Sequence, residues 1–155
     1  MNDKEYLQVA IDQAKKSINQ GGFPAGAVIV KNGEIVSRGI SIGSALNDPT
    51  SHAETASMRE ACKVLKTDNL EGATLYGNLE LCVMCFSVAN WVGISRIVFA
   101  TKKTKDMVEK GYYEGVTDIR DINKENRTHL DIVFVPELEE ESLQVVKEWE
   151  DKNFA

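Results

Sequence analysis

No stretch of the sequence approaches the roughly 18 consecutive apolar residues of a membrane span, so a membrane is not expected among its partners. Residues 1–16, MNDKEYLQVAIDQAKK, lack the apolar core of a signal peptide and read as an amphipathic helix. Cysteine is scarce. The three present, Cys62, Cys82 and Cys85, are an odd number that does not suit a disulfide scaffold. They fit a reducing compartment, and the expected location is the cytoplasm. Basic charge is also short: 18 Lys and Arg stand against 24 Asp and Glu, a formal net charge of −6. Broad binding to a phosphate backbone needs clustered cations, so nucleic acid is not an expected partner, although a small basic patch stays open. No repeat, linker or low-complexity tract interrupts the chain. Its 155 residues, 43% of them hydrophobic, can bury a core without disulfide staples. One domain over residues 1–155 is the expectation.

Hydrophobic spacing orders the elements. Leu7, Ala10, Ile11, Ala14 and Ile18 mark a helix over residues 3–19, stopped by Gly21 and Gly22. Ala27 to Val30 is strand-like, and Asn32-Gly33 turns it into a return strand through Ile35 and Val36. A Gly/Ser-rich loop spans 39–51. Helices are expected over 52–66, about 82–91 and 138–152, and strands around Leu75-Tyr76, Ile97–Phe99 and Leu130–Val135. Residues 101–128 are ambiguous, with one short helix expected. This order predicts an α/β fold, one mixed sheet covered by helices.

Two short segments carry chemistry. Ser51-His52-Ala53-Glu54 by itself reads as a capping box, Ser51 capping and Glu54 reaching back. Cys82-Val83-Met84-Cys85 by itself reads as a redox pair or half a zinc site. Together they offer more. A catalytic zinc takes three protein ligands and keeps one position for water, and one His with two thiolates is such a set. A structural zinc needs a fourth ligand. Cys62 lies ten residues beyond His52 on the same helix, roughly 15 Å away, too far to share an ion. Cys62 is therefore expected to be a small packing residue, and His129 a loop residue. Glu54 is placed to accept a proton from zinc-bound water, as in the H-x-E…P-C-x-x-C pattern of zinc deaminases. A thiol–disulfide oxidoreductase would leave His52 and Glu54 unexplained. A non-catalytic zinc module would leave Glu54 unexplained.

With these motifs the chain resembles the cytidine-deaminase superfamily, and within it the guanine deaminase-like branch. The resemblance spans about residues 5–154. Its markers are Pro24-Ala25-Gly26-Ala27-Val28-Ile29-Val30, Asn47-Asp48-Pro49-Thr50-Ser51-His52-Ala53-Glu54, Arg59-Glu60-Ala61-Cys62-Lys63 and Glu80-Leu81-Cys82-Val83-Met84-Cys85. It implies a three-layer fold with a five-stranded mixed sheet. It also implies zinc on His52, Cys82 and Cys85, Glu54 as proton shuttle, and the Ala53 backbone N–H on a carbonyl of the base. A homodimer whose C-terminal segment crosses to close the partner's site is implied as well.

Three positions depart from the family pattern. Leu81 replaces the Pro before the first Cys, Ser41 stands where a base-contacting Asn is expected, and Ala25 replaces a bulky aromatic. Glu114, in Gly111-Tyr112-Tyr113-Glu114, is expected to accept hydrogen bonds from ring N–H donors, with a solvated loop acid as the alternative. Trp91 is read as a core residue, with the pocket wall as the alternative, and Phe154 as a terminal lid or a frayed tail. The expected reaction is zinc-dependent release of ammonia from a small-molecule nucleobase or nucleoside. Guanine comes first; cytosine, guanosine and cytidine are alternatives, and adenosine in tRNA comes behind them.

Overall fold

The computed structural model describes residues 1–154. Helix α1 (Asp3–Asn19) opens with a capping box, Asn2 accepting from the Glu5 amide while Glu5 accepts from the Asn2 amide. Its apolar stripe is buried at Leu7, Ala10, Ile11 and Ala14, as the spacing predicts. Strands β1 (Phe23–Lys31) and β2 (Glu34–Ser41) form the hairpin, turning through Asn32 and Gly33, both at positive φ. A short helix α2 (Gly43–Leu46) lies inside the segment expected to be loop. Helix α3 (Ala53–Leu65), strand β3 (Thr74–Leu79), helix α4 (Val83–Trp91) and strand β4 (Arg96–Thr101) follow. The ambiguous stretch holds two short helices, α5 (Lys105–Glu109) and α6 (Ile119–Glu125), where one was expected. Strand β5 (Asp131–Phe134) and helix α7 (Glu139–Phe154) complete the chain.

The sheet order is β2-β1-β3-β4-β5. β1 is antiparallel to both β2 and β3, whereas β3, β4 and β5 run parallel, so the sheet is mixed as expected. One face buries Val28, Val30, Tyr76, Val98 and Ala100 against Tyr6, Leu7 and Ala10 of α1. The other buries Ile29, Leu75 and Ile97 against Met58 and Ala61 of α3 and Phe86 and Ala89 of α4. The result is the expected three-layer arrangement.

Trp91, expected in the core or the pocket wall, is 90% exposed at the end of α4. The end of that helix is followed at once by Gly93 at positive φ, so the indole lies beyond the packed part of α4. Helix α7 packs on its own chain, with Val145 against Ile11, Ala14 and Ile18 of α1 and Val146 against Ala25 and Leu79. Its packed face lies over α1 and the start of β1 of this chain. Among the described residues no helix is long and apolar enough to cross a membrane.

Parallel sheets place ligands beyond the carboxyl ends of their strands. Here the carboxyl ends of β3 and β2 and the start of β1 share one edge of the sheet. The starts of α3 and α4 meet at that edge.

Candidate metal centre and its cavity

Three side chains from two helix starts converge. His52 Nδ1 lies 3.5 Å from Cys82 Sγ and 3.5 Å from Cys85 Sγ. All three ligand atoms fall within 4.8 Å of one another, and no fourth His, Cys, Asp or Glu joins the group among the described residues. A tetrahedral zinc with Zn–N near 2.05 Å and Zn–S near 2.3 Å places N and S about 3.6 Å apart. The donor set therefore fits zinc in chemistry and in spacing. Thr55 Oγ1 sits 3.2 Å from Cys85 Sγ and supports that ligand from behind. Cys62 is half-buried and free, packed on the edge of the core, and His129 is exposed, both as expected.

The local backbone explains the convergence. His52 is the N-cap residue of α3 and Cys82 that of α4, with nearly equal dihedrals (φ −70, ψ 161 and φ −71, ψ 167). Because His52 holds the cap position, the Ser51–Glu54 capping box does not form. Glu54 instead turns inward. Gly39 of β2 lets α3 come this close: a Cβ there would meet the Ala53 carbonyl oxygen, and would lie 2.8 Å from the Ser57 nitrogen. Ala53 is fully buried against Ala25, Ala27 and Leu79. Its backbone N–H belongs to the first turn of α3, where amides lack intrahelical acceptors.

Electrostatics bear on the same atoms. Glu54 is only 5% exposed. Burial, followed by the neighbouring Cys82 charge, raises its carboxyl to about 7. Cys82 is lowered to about 4, first by its contact with Cys85, then by His52 and the Cys85 amide. Cys85 is raised, by Cys82 first and burial second. One thiolate beside one thiol is the form expected before a cation neutralises the group.

A cavity of about 220 Å³ opens on the centre. Glu54, His52, Cys82, Ser41 and Ala25 line it as expected, together with Leu79. Glu114 does not line it. The segment contributes Gly111, Tyr112 and Tyr113, and Glu114 is exposed in the loop beyond them. Tyr113 is held inward by donating to the Glu80 carbonyl at 2.6 Å, after which the chain leads away to solvent. The acid that lines the cavity besides Glu54 is Glu80, buried, with the Lys103 amide donating to it at 3.1 Å.

Sequence reasoning missed Glu80, Phe23 and Tyr112 as lining residues. Phe23 stacks edge-on with Tyr112 (5.3 Å) and Trp149 (5.1 Å), supplying the aromatic wall that Ala25 lacks. Tyr112 donates to Glu150 of α7. The aromatic run Gly-Tyr-Tyr and the Phe before Pro24 were the available signals.

A three-layer fold with a His-Cys-Cys centre and an adjoining buried Glu defines the zinc-dependent deaminases, hydrolases acting on carbon–nitrogen bonds. The family model described as the cytidine and deoxycytidylate deaminase zinc-binding region matches residues 1–101. The chain belongs to that family and is a zinc enzyme. Over 105 residues it is 40% identical to the tRNA-specific adenosine deaminase of Aquifex aeolicus, covering 68% of this chain and 70% of that one. Over 113 residues it is 39% identical to the guanine deaminase of Bacillus subtilis, covering 72% of each. The X-ray structure of the Bacillus subtilis guanine deaminase superposes with a TM-score of 0.68 at 33% identity, over 100% of this chain and 96% of that one.

Proposed function

We propose that the enzyme removes the exocyclic amine of a small nucleobase-type ring by hydrolysis, with guanine the first ring to test. The observation that carries this reading is the Glu54 carboxylate, buried in the wall of a ring-sized cavity beside His52, Cys82 and Cys85. Those three residues hold the zinc, whose contribution is to bring the pKa of a water toward neutrality. Glu54 takes one proton from the attacking water and passes it to the ring nitrogen beside the amine-bearing carbon as the C–O bond forms; it then takes the remaining proton of the added hydroxyl and passes it to the amine, which leaves as ammonia as the C–N bond breaks and the carbonyl forms. Burial, which raises the Glu54 carboxyl above the ordinary value, suits a group that must act first as base and then as acid. The Ala53 amide receives the ring carbonyl, Ser41 meets the ring edge, and the aromatic wall orients the plane.

Likeness to a guanine deaminase extends over the whole chain and likeness to a tRNA-specific adenosine deaminase over 93% of it, so guanine ranks first on the cation-free lining of the cavity rather than on likeness. Adenosine in tRNA is the second reading, favoured by the Aquifex relative. Against it stands a cavity without one Lys or Arg in its lining, whereas tRNA binding rests on phosphate contacts. We further propose a cytoplasmic homodimer. Its contact is the outward face of α4, where Val83, Ser87 and Trp91 follow at helical spacing and no residue of the helix is charged. An ammonia-release panel over guanine, cytosine, guanosine, cytidine and an adenosine-bearing tRNA anticodon stem-loop tests the function. A stem-loop preferred tenfold over every free compound, about 1.4 kcal/mol of transition-state binding, would replace the first reading with the second.

A further inference from the structure

The segment that brings Tyr112 and Tyr113 to the cavity has little of its own to hold it. Among the described residues, 113–117 make no backbone-to-backbone hydrogen bond. Residues 114–117 are all exposed, Val116 to 71%. Yet Tyr113 is buried, and it lines the cavity beside Tyr112. A run with few bonds and little burial belongs to the weakly held part of a fold. Keeping a buried wall residue at its start therefore needs an anchor from outside the run.

Lys103, just past the end of β4, is placed as that anchor. Its Nζ donates to the Thr117 carbonyl at 2.5 Å and to the Gly115 carbonyl at 3.3 Å. The same ammonium stands over the Tyr113 ring, 5.4 Å from its centre, within reach of a cation–π contact. The Lys103 backbone N–H donates to the Glu80 carboxylate at 3.1 Å, and Tyr113 donates to the Glu80 carbonyl at 2.6 Å. Glu80 is buried and lies two residues before Cys82. The anchor and the wall residue are thus both registered on the strand end that leads into the metal centre. Lys102, next to it in the chain, turns elsewhere: its Nζ stands over the Phe134 ring of β5 at 4.7 Å.

We propose that Lys103 is a positioning residue: its ammonium pins residues 111–117 so that Tyr112 and Tyr113 form the wall against which the ring lies. The inference rests on the deaminase reading above and adds a residue that reading does not use. An ammonium carries three donors on a flexible stem, which suits two carbonyls of one loop. A neutral side chain of similar length has no donor for either carbonyl. Lys103 does not itself line the cavity, so it acts through the loop. Its backbone bond to Glu80 survives any change of the side chain, which leaves the approach to Cys82 as it is. A wall that contacts the ring equally before and during the reaction contributes to KM and not to kcat.

The test uses the zinc-loaded enzyme and the ring that the ammonia panel ranks first. Lys103→Met keeps the stem and removes the charge. It should raise KM roughly fivefold or more, with kcat within about twofold of the parent and zinc content unchanged. Lys103→Arg, which can still donate to both carbonyls, should recover most of that loss. Lys102→Met is the control and should match the parent. A Glu-specific protease reads the loop without any substrate. Cleavage after Glu114 should be roughly fivefold faster in Lys103→Met than in the parent, and slowed again in Lys103→Arg. An unchanged KM, a fall in kcat alone, an effect that Lys102→Met shares, or cleavage at the parent's rate overturns the proposal. Ammonia from no ring would defeat the deaminase reading itself. Cleavage then decides the anchor alone: a faster cut in Lys103→Met, reversed in Lys103→Arg, supports it, and the parent's rate rejects it.

Discussion

Replacing Gly39 by Ala adds one methyl group at the closest approach between the sheet and the helix that carries His52 and Glu54. The added Cβ would fall on the Ala53 carbonyl oxygen, 2.8 Å from the Ser57 nitrogen and 3.0 Å from the Ser57 Cβ. Two of these atoms are backbone, so no rotamer change relieves the contact. To reach ordinary van der Waals separation the first turn of α3 must retreat from β2 by about 1 Å. Overpacking of this kind costs about 1–3 kcal/mol, and the backbone contact puts it at the upper end. For a chain of this size that is a fall in Tm of roughly 6–12 °C. The same retreat moves His52 and Glu54 relative to Cys82 and Cys85. A displacement near 1 Å at the reacting groups costs about 10²-fold in turnover. Gly115→Ala is the matched control, because its Cβ would meet nothing within 4 Å and no positive φ is involved. Thermal melting, zinc content and ammonia release at a temperature where both variants are folded give the comparison. Gly39→Ala with the Tm and turnover of Gly115→Ala would refute the claim that this close approach sets the site.

Glu54→Gln should keep zinc and melt within about 1 kcal/mol of the parent, because a neutral amide suits the buried position, while turnover falls about 10²–10⁴-fold. Turnover largely intact in that variant would remove Glu54 from the chemistry. Cys82→Ala and Cys85→Ala should each lose zinc by elemental analysis, and full occupancy in either would sink the ligand set. Asp3 accepts from both terminal nitrogens of Arg96 (2.8 and 2.6 Å) and from Tyr76 (2.7 Å), and Arg96 first of all holds its carboxyl below the usual value. A depressed carboxyl stabilises the fold above its unfolded pKa and loses that contribution as pH falls through the folded one. Asp3→Asn should therefore cost about 1 kcal/mol at pH 7, with the gap to the parent closing as pH falls below the ordinary carboxyl value of about 3.9 in pH-dependent melting; a gap constant across that fall would contradict the ion pair's role. Trp91→Glu should shift sedimentation from dimer to monomer, and an intact dimer would clear α4 of that contact.

Periodicity made most of the fold legible. The stripe of α1, the Asn-Gly turn and the positions of α3, α4 and α7 follow from spacings that packing then satisfied. The ligand set was legible because zinc chemistry restricts residue types sharply, and His52, Cys82 and Cys85 left no other combination within reach. Substrate contacts were not legible, since they depend on where a loop turns. Glu114 is one residue beyond Tyr113, and the bond from Tyr113 to the Glu80 carbonyl decides which of the two faces the cavity. Trp91 followed the apolar pattern of α4, yet the helix ends before its indole meets a neighbour, and composition does not reveal where a layer stops. The aromatic wall joins Phe23, Tyr112 and Trp149, residues far apart in sequence that only the closure of α7 brings together.

The arrangement at the helix starts answers the question left open by the capping motif. Ser51 is a better side-chain cap than His52 on intrinsic grounds, and Ser-x-x-Glu is a favourable box. The chain shifts the cap by one residue, and His52 makes no side-chain bond to its own helix. That choice forgoes about 1 kcal/mol of local stability. In return it frees the imidazole to face Cys82 and turns Glu54 toward the cavity. Cys82 repeats the choice on α4, although there the sulfur also accepts from the Cys85 amide at 3.5 Å. Two helix N-termini therefore point their positive ends at one spot, where thiolate charge and a developing negative oxygen are both favoured. A merely structural zinc would gain from the first effect only. The buried carboxyl of Glu54 has a use only if a reacting group occupies the cavity beside it.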